Sequence, residues 1–168
     1  MRITLAPYDP RWPARFLAAR RELLHALDAE WLVAVEHIGS TAVPGLAAKP
    51  IIDMLTGVRS LEPVETANAA LEALGYVPWF GATGRVSYER RNAEGQATHH
   101  VHFVVFGDLL WRNQLMFRDA LRTNAADREA YEKLKRELAA KYTDTRDYSE
   151  AKGPFVESVL SRVSGARV

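Results

Sequence analysis

The chain has 168 residues, 48% of them hydrophobic, which suits one domain with a sizeable core. Its 22 Lys+Arg balance 21 Asp+Glu to a net charge of +1, so no global field draws it to nucleic acid or an anionic membrane, and any anion site must be local. With no cysteine there are no disulfides, thiolate metal sites or cysteine nucleophiles. Pro7 and Asp9 interrupt the apolar core that a signal peptide needs, and no apolar run reaches membrane-spanning length. A cytoplasmic protein is expected, with residues 1–168 as a single domain.

Asp9-Pro10 predicts an N-cap and first turn, after which Phe16, Leu17, Leu23, Leu24 and Leu27 recur at helical spacing to about Asp28. Strands are predicted over 32–38 and 51–58, then a helix over 61–74 closed by Gly75. Residues 76–80, 85–91 and 98–106 read as further strands, with the turn of a hairpin at 92–95. Three helices follow, over 110–122, 126–142 and 148–163, separated at Thr123-Asn124 and Thr143-Asp144. A sheet in the first two thirds with helices before and after it is an α+β arrangement.

The chemistry concentrates between Glu36 and Asp53. A short buried strand ends at Ile38, Gly39 permits a tight turn, and Ser40 and Thr41 offer hydroxyls and amides to an anion. Twelve residues later, Asp53 rides a second apolar strand, where a carboxylate needs solvent, a cation or a metal. In Thr98-His99-His100-Val101-His102, positions 100 and 102 share a strand face with α-carbons about 7 Å apart, so two imidazoles can meet one metal. His99 faces the other way and reads as a packing or surface residue. The competing reading of His100 and His102 is a half-exposed pair with local hydrogen bonds.

The run His37-Ile-Gly-Ser-Thr-Ala-Val-Pro-Gly-Leu-Ala-Ala-Lys-Pro-Ile-Ile-Asp53 resembles the signature of the GrpB family, placed in the nucleotidyltransferase superfamily. Tyr8-Asp9-Pro10-x-Trp12-x-x-x-Phe16, His100-Val-His102, Phe117-Arg118-Asp119-x-Leu121-Arg122, Tyr131-x-x-Leu134-Lys135 and Tyr148-x-x-Ala151-Lys152-x-x-Phe155 extend the resemblance along nearly the whole chain. It implies a nucleotidyltransferase-like mixed sheet flanked by helices, with a helical C-terminal third. It also implies a triphosphate held at the turn of Gly39 and Ser40, and a divalent metal (Mg, Mn or Zn) on carboxylates beginning with Asp53. The second carboxylate position, however, is Leu55, which removes one oxygen ligand and one negative charge.

A rebuilt site of Asp53, His100 and His102 is the expectation, since such a set favours zinc, manganese, iron(II) or nickel over magnesium. Asp53 and His37 are the catalytic candidates, with Glu36 and Glu89 as further ligands or bases. Gly39, Ser40, Thr41, Lys49, Arg90, Arg118, Arg122 and Lys152 are the candidates for phosphate binding. Trp79, Phe80 and Tyr88 are candidates to line a pocket where a base could stack. The expected ligand is a nucleotide or phosphorylated small molecule, with no membrane and no strong sign of nucleic acid. The functional readings are a metal-dependent nucleotidyltransferase-like enzyme, a non-catalytic nucleotide- or metal-binding module, and a metal-dependent hydrolase.

Overall fold

A computed structural model describes residues 3–165, apart from the side chains of residues 65, 80 and 81. Helix α1 (Trp12–Ala26) is followed by β1 (Leu32–Ile38), a 3-10 turn over Ser40–Ala42, β2 (Ile52–Val58), and two short helices, α2 (Glu62–Thr66) and α3 (Asn68–Ala73). Then come β3 (Tyr76–Ala82), β4 (Arg85–Arg91) and β5 (Ala97–Val105). The chain closes with α4 (Leu109–Thr123), α5 (Ala125–Lys141), α6 (Thr145–Glu150) and α7 (Gly153–Gly165). The α+β reading therefore stands, and so does the helical C-terminal third.

The sheet runs β1-β2-β5-β4-β3. Only its β2–β5 pair is parallel, and that pair is central: it sets Asp53 beside His100 and Leu55 beside His102. Strand alternation then sends Ile52, Met54, Val101 and Phe103 to one face, where they form a core with Trp12, Leu23, Leu71 and Tyr88 beneath α1 and α3. The opposite face carries Asp53, His100 and His102. There Ile38, Leu55 and Val104 pack under Trp111 of α4, and Leu121, Tyr131 and Phe155 join α4, α5 and α7 to the loop at Val43 and Leu46. The site thus lies between the sheet and the C-terminal helices.

Three helix boundaries differ from the sequence reading. The first helix begins at Trp12 with Arg11 at the cap position; Asp9 instead accepts from the Arg11 backbone N–H at 2.9 Å. The helix expected over 61–74 breaks at Ala67, whose ψ of 9° is not helical; the Val64 carbonyl accepts from the Ala67 N–H at 3.1 Å and also meets the Tyr88 hydroxyl at 3.5 Å. The last helix is two, α6 and α7. Asp144 caps α6 by accepting from the Arg146 and Asp147 N–H groups. Pro154, which has no N–H to donate, falls in the first turn of α7, where that donor would have no intrahelical partner, so a new helix begins at Gly153.

Candidate metal and phosphate site

Gly39 makes the geometry of the site. It stands at φ 70° and ψ −176°, a region nearly closed to residues with a Cβ, and a Cβ placed there would run into the Asp53 carboxylate. The turn therefore folds directly against Asp53. On the other side of Asp53, His100 Nδ1 lies 3.0 Å and His102 Nε2 3.9 Å from Oδ1. Donor atoms of the three side chains all fall within 4.8 Å of one another. Donors that are neighbours around a first-row ion with bonds near 2.1 Å sit about 3 Å apart, so the three need only small rotations to share one.

Outer contacts aim the two imidazoles. His102 Nδ1 is hydrogen-bonded to Ser87 Oγ at 2.9 Å, leaving Nε2 toward Asp53. His100 is stacked on Trp79, with ring centroids 4.1 Å apart, and its Nε2 faces Glu89 Oε2 at 3.9 Å. Glu89 itself pairs with Arg91 at 2.6 Å. Burial by itself would raise the Asp53 carboxyl, but hydrogen bonds and charge from His100 and His102 hold it well below the usual carboxylate range. Burial pushes His102 down, against the pull of Asp53. The result is an ionised carboxylate beside a neutral imidazole, the protonation states that a metal requires. One carboxylate and two imidazoles suit manganese or zinc better than magnesium.

The same cleft, of about 800 Å³, is also lined by a wall of lysines, Lys49, Lys135 and Lys152. Lys135 is 1% exposed and donates to Ser40 Oγ at 3.0 Å and to the Ala47 carbonyl. Lys49 and Lys152 both rest on the Tyr148 ring, at 5.3 and 4.5 Å from its centroid. None of these lysines forms a close ion pair among the described residues. Burial, and then repulsion from Lys152, lowers Lys135 to about 7. Burial and repulsion from Lys49 lower Lys152 to about 8. Asp53 attracts Lys49 and Lys152, and Glu132 attracts Lys135, but burial outweighs these pulls, and such desolvated ammoniums are costly unless a polyanion neutralises them.

That cost gives a pH dependence whose sign can be worked out. An anion favours the protonated ammoniums and so raises their pKa values, which means that binding takes up protons wherever the free lysines have lost them. Affinity for a non-hydrolysable nucleoside triphosphate should therefore fall at least about tenfold between pH 7 and pH 9. Calorimetric titration at the two pH values checks this, and an affinity that stays flat contradicts it.

The structure gathers Asp53, His100, His102, Gly39, Ser40, Thr41, Lys49, Arg118 and Lys152 along the cleft. It does not bring the others there. His37 points to the opposite face of β1 from Glu36. It stacks on Phe16 and donates from Nε2 to Thr41 Oγ1 at 3.0 Å, since the Thr41 hydroxyl hydrogen is given to the Ile51 carbonyl. Burial takes its pKa down to about 4, so it is a neutral brace for the turn rather than a base beside Asp53. Arg90 lies on the far face of the sheet, bound to Glu22 at 2.7 Å.

Arg118 lines the cleft but is committed to Glu36 at 2.7 Å and the His37 carbonyl at 3.1 Å, which also occupies Glu36. Arg122 holds the Ala42 carbonyl at 2.8 Å. Both arginines tie α4 to the turn. Of the aromatics, Trp79 lines the cleft, Tyr88 is in the core, and the side chain of Phe80 lies outside the described residues. Leu55 is 1% exposed and belongs to the apolar cluster under Trp111, so an apolar contact stands where a second carboxylate was in question.

Sequence reasoning passed over Lys135, although a signal was present: it falls at the i+4 position from Tyr131, on the apolar stripe of its helix. Among the described residues no helix is long and apolar enough to cross a membrane.

A protein of Streptomyces coelicolor classed as UPF0157 is 40% identical over 168 residues, covering 99% of this chain and 87% of that one. A crystal structure of the conserved protein GrpB from Enterococcus faecalis matches with a TM-score of 0.83 at 35% identity, over 95% of this chain and 96% of that one. The Cid1 poly (U) polymerase matches with a TM-score of 0.56 at 13% identity, over 80% of this chain but 44% of the polymerase. That likeness is one of fold. The sequence profile described as GrpB protein matches residues 2–162, and the chain accordingly belongs to the GrpB family, with a nucleotidyltransferase-like fold.

Proposed function

We propose that this protein is a metal-dependent nucleotidyltransferase-like enzyme, which binds the phosphates of a nucleotide between the Gly39-Ser40 turn and the lysine wall. The observation that carries this reading is the presence, in one cleft, of an Asp53-His100-His102 donor set and of Lys49, Lys135 and Lys152, which form no close ion pair among the described residues. A site for cations alone has no use for buried ammoniums. One for anions alone has no use for a clustered carboxylate and imidazoles. A metal-bound polyphosphate satisfies both.

Asp53, His100 and His102 would hold the ion. Once bound, a divalent ion would neutralise phosphate oxygens and acidify the attacking group. Lys135 and Lys152 would balance the charge that builds on the departing pyrophosphate, while Ser40 sets the reach of Lys135. In the transfer an acceptor oxygen bonds to the α-phosphorus and the bond to pyrophosphate breaks. The electron pair leaves with pyrophosphate and the acceptor's proton passes to solvent. Thr41, braced by His37, keeps the turn in place.

Leu55 favours a second reading, a nucleotide- or metal-binding module without turnover, because one carboxylate is missing from the set that two ions would need. Incubation of manganese-loaded protein with labelled nucleoside triphosphates separates the readings. Transfer gives pyrophosphate release that Asp53→Ala lowers about 100-fold or more. Saturable binding without release supports the module. Release of orthophosphate that depends on His102 supports a hydrolase.

A further inference from the structure

Arg85 opens β4 at the hairpin with β3, on the same sheet face as Ser87 and Glu89 and therefore on the cleft side. Ser87 pairs in register with His102, so Arg85 lies one step beyond the second histidine, away from the lysine wall. It pairs with Ala82 across the hairpin and lines the cleft together with Trp79, His102, Val104 and Leu110. The Nε atom is fully covered and has no hydrogen-bond partner among the described residues. The other half-buried arginines are all engaged: Arg90 on Glu22, Arg118 on Glu36, and Arg128 on the Leu121 carbonyl.

A guanidinium always carries its charge, and covering its Nε–H without a partner forfeits hydration that nothing in the chain returns. Burial depresses Arg85, with no acidic group working against it. The fork of a guanidinium matches two oxygens on one atom, as in a carboxylate or phosphate group. The lysine wall lies on the Ser40 side of Asp53, and Arg85 lies on the His102 side. Two basic elements flanking one donor set is the layout expected of two anionic reactants.

We propose that Arg85 is the anchor of a second subsite, which binds the acceptor through a carboxylate or phosphate group beside Trp79 and His102. This rests on the transferase reading for the word acceptor, but the anion subsite itself does not depend on it. The acceptor would thus be an acidic small molecule rather than a neutral alcohol or amine.

The test is nuclear magnetic resonance of the full chain labelled with 15N. The Nε–H signal of Arg85 is identified by its loss in Arg85→Lys, and the Trp79 indole signal by its loss in Trp79→Phe. Each is followed during titration with acetate and, separately, with inorganic phosphate. Saturable movement of both signals is expected, the probe acting at the lower concentration naming the group. Arg85→Lys, which keeps the charge but loses the fork, should weaken the response at Trp79 by about tenfold.

The same titrations in Lys135→Met, alongside pyrophosphate binding to the lysine wall, separate the two proposals. An Arg85 response that persists while pyrophosphate fails to bind the wild-type protein supports the subsite and removes the transferase reading. Signals that stay still, or drift without saturating, overturn the subsite even where pyrophosphate binds.

Discussion

Gly39→Ala is expected to lower the stability of the free protein by about 2–6 kcal/mol and to abolish metal binding at Asp53. Two costs add. At φ 70° and ψ −176° the backbone occupies a region in which a side chain costs about 1–3 kcal/mol. The new Cβ would also lie 3.1 Å from Asp53 Cβ and Cγ and closer still to Oδ2, and overpacking of that kind adds about 1–3 kcal/mol. Asp53 cannot retreat without leaving His100, because the β2–β5 register pins both strands. Urea denaturation measures the first effect and manganese titration the second. A variant with wild-type stability and wild-type manganese affinity would show that the turn does not press on the carboxylate.

Lys135→Met is expected to separate binding from folding. Its ammonium is buried, donates to Ser40 Oγ and the Ala47 carbonyl, and sits at a depressed pKa near 7. Methionine fills a similar volume with no charge to desolvate, which offsets the two acceptors left unpaired. The thermal midpoint of the free protein should hardly change. Pyrophosphate affinity should fall about 30-fold or more, the equivalent of one charge-assisted hydrogen bond of about 2–3 kcal/mol in a dry site. A lysine kept for structure alone gives the opposite pattern, lost stability with unchanged affinity.

Much of this site can be read from the chain because strand alternation is a hard rule. Asp53, His100 and His102 occupy positions whose parity sends them to one face once β2 and β5 are neighbours. The same rule sends His37 and Arg90 to the other face. Residue type alone makes both candidates for the site, but the registers of His37 with Met54 and Arg90 with His99 put them on the far face, because a single step along a strand reverses a side chain. Lys135 was hidden for a different reason. In a helix as charged as Ala125–Lys141 a lysine ordinarily faces solvent, whereas this one is turned inward onto Ser40 Oγ and the Ala47 carbonyl, partners that only the folded loop supplies.

The lost continuity at Ala67 has a similar origin. Local propensity favours one helix there, and the tertiary contact of Tyr88 with Val64 and Asn68 comes from a strand some twenty residues away. Leu55 shows how far a motif carries. Its position marks the missing carboxylate, while its packing under Trp111 is visible only once α4 is laid on the sheet.

The proposed chemistry depends most on Asp53, His100 and His102 sharing one ion beside the lysines. A crystal structure with manganese and a non-hydrolysable nucleoside triphosphate, read by anomalous scattering, tests this directly. The expected result is a manganese peak bounded by Asp53 Oδ1, His100 Nδ1 and His102 Nε2, with phosphate density reaching Lys135 and Lys152. Manganese held elsewhere, or phosphates bound away from the lysine wall, would contradict it.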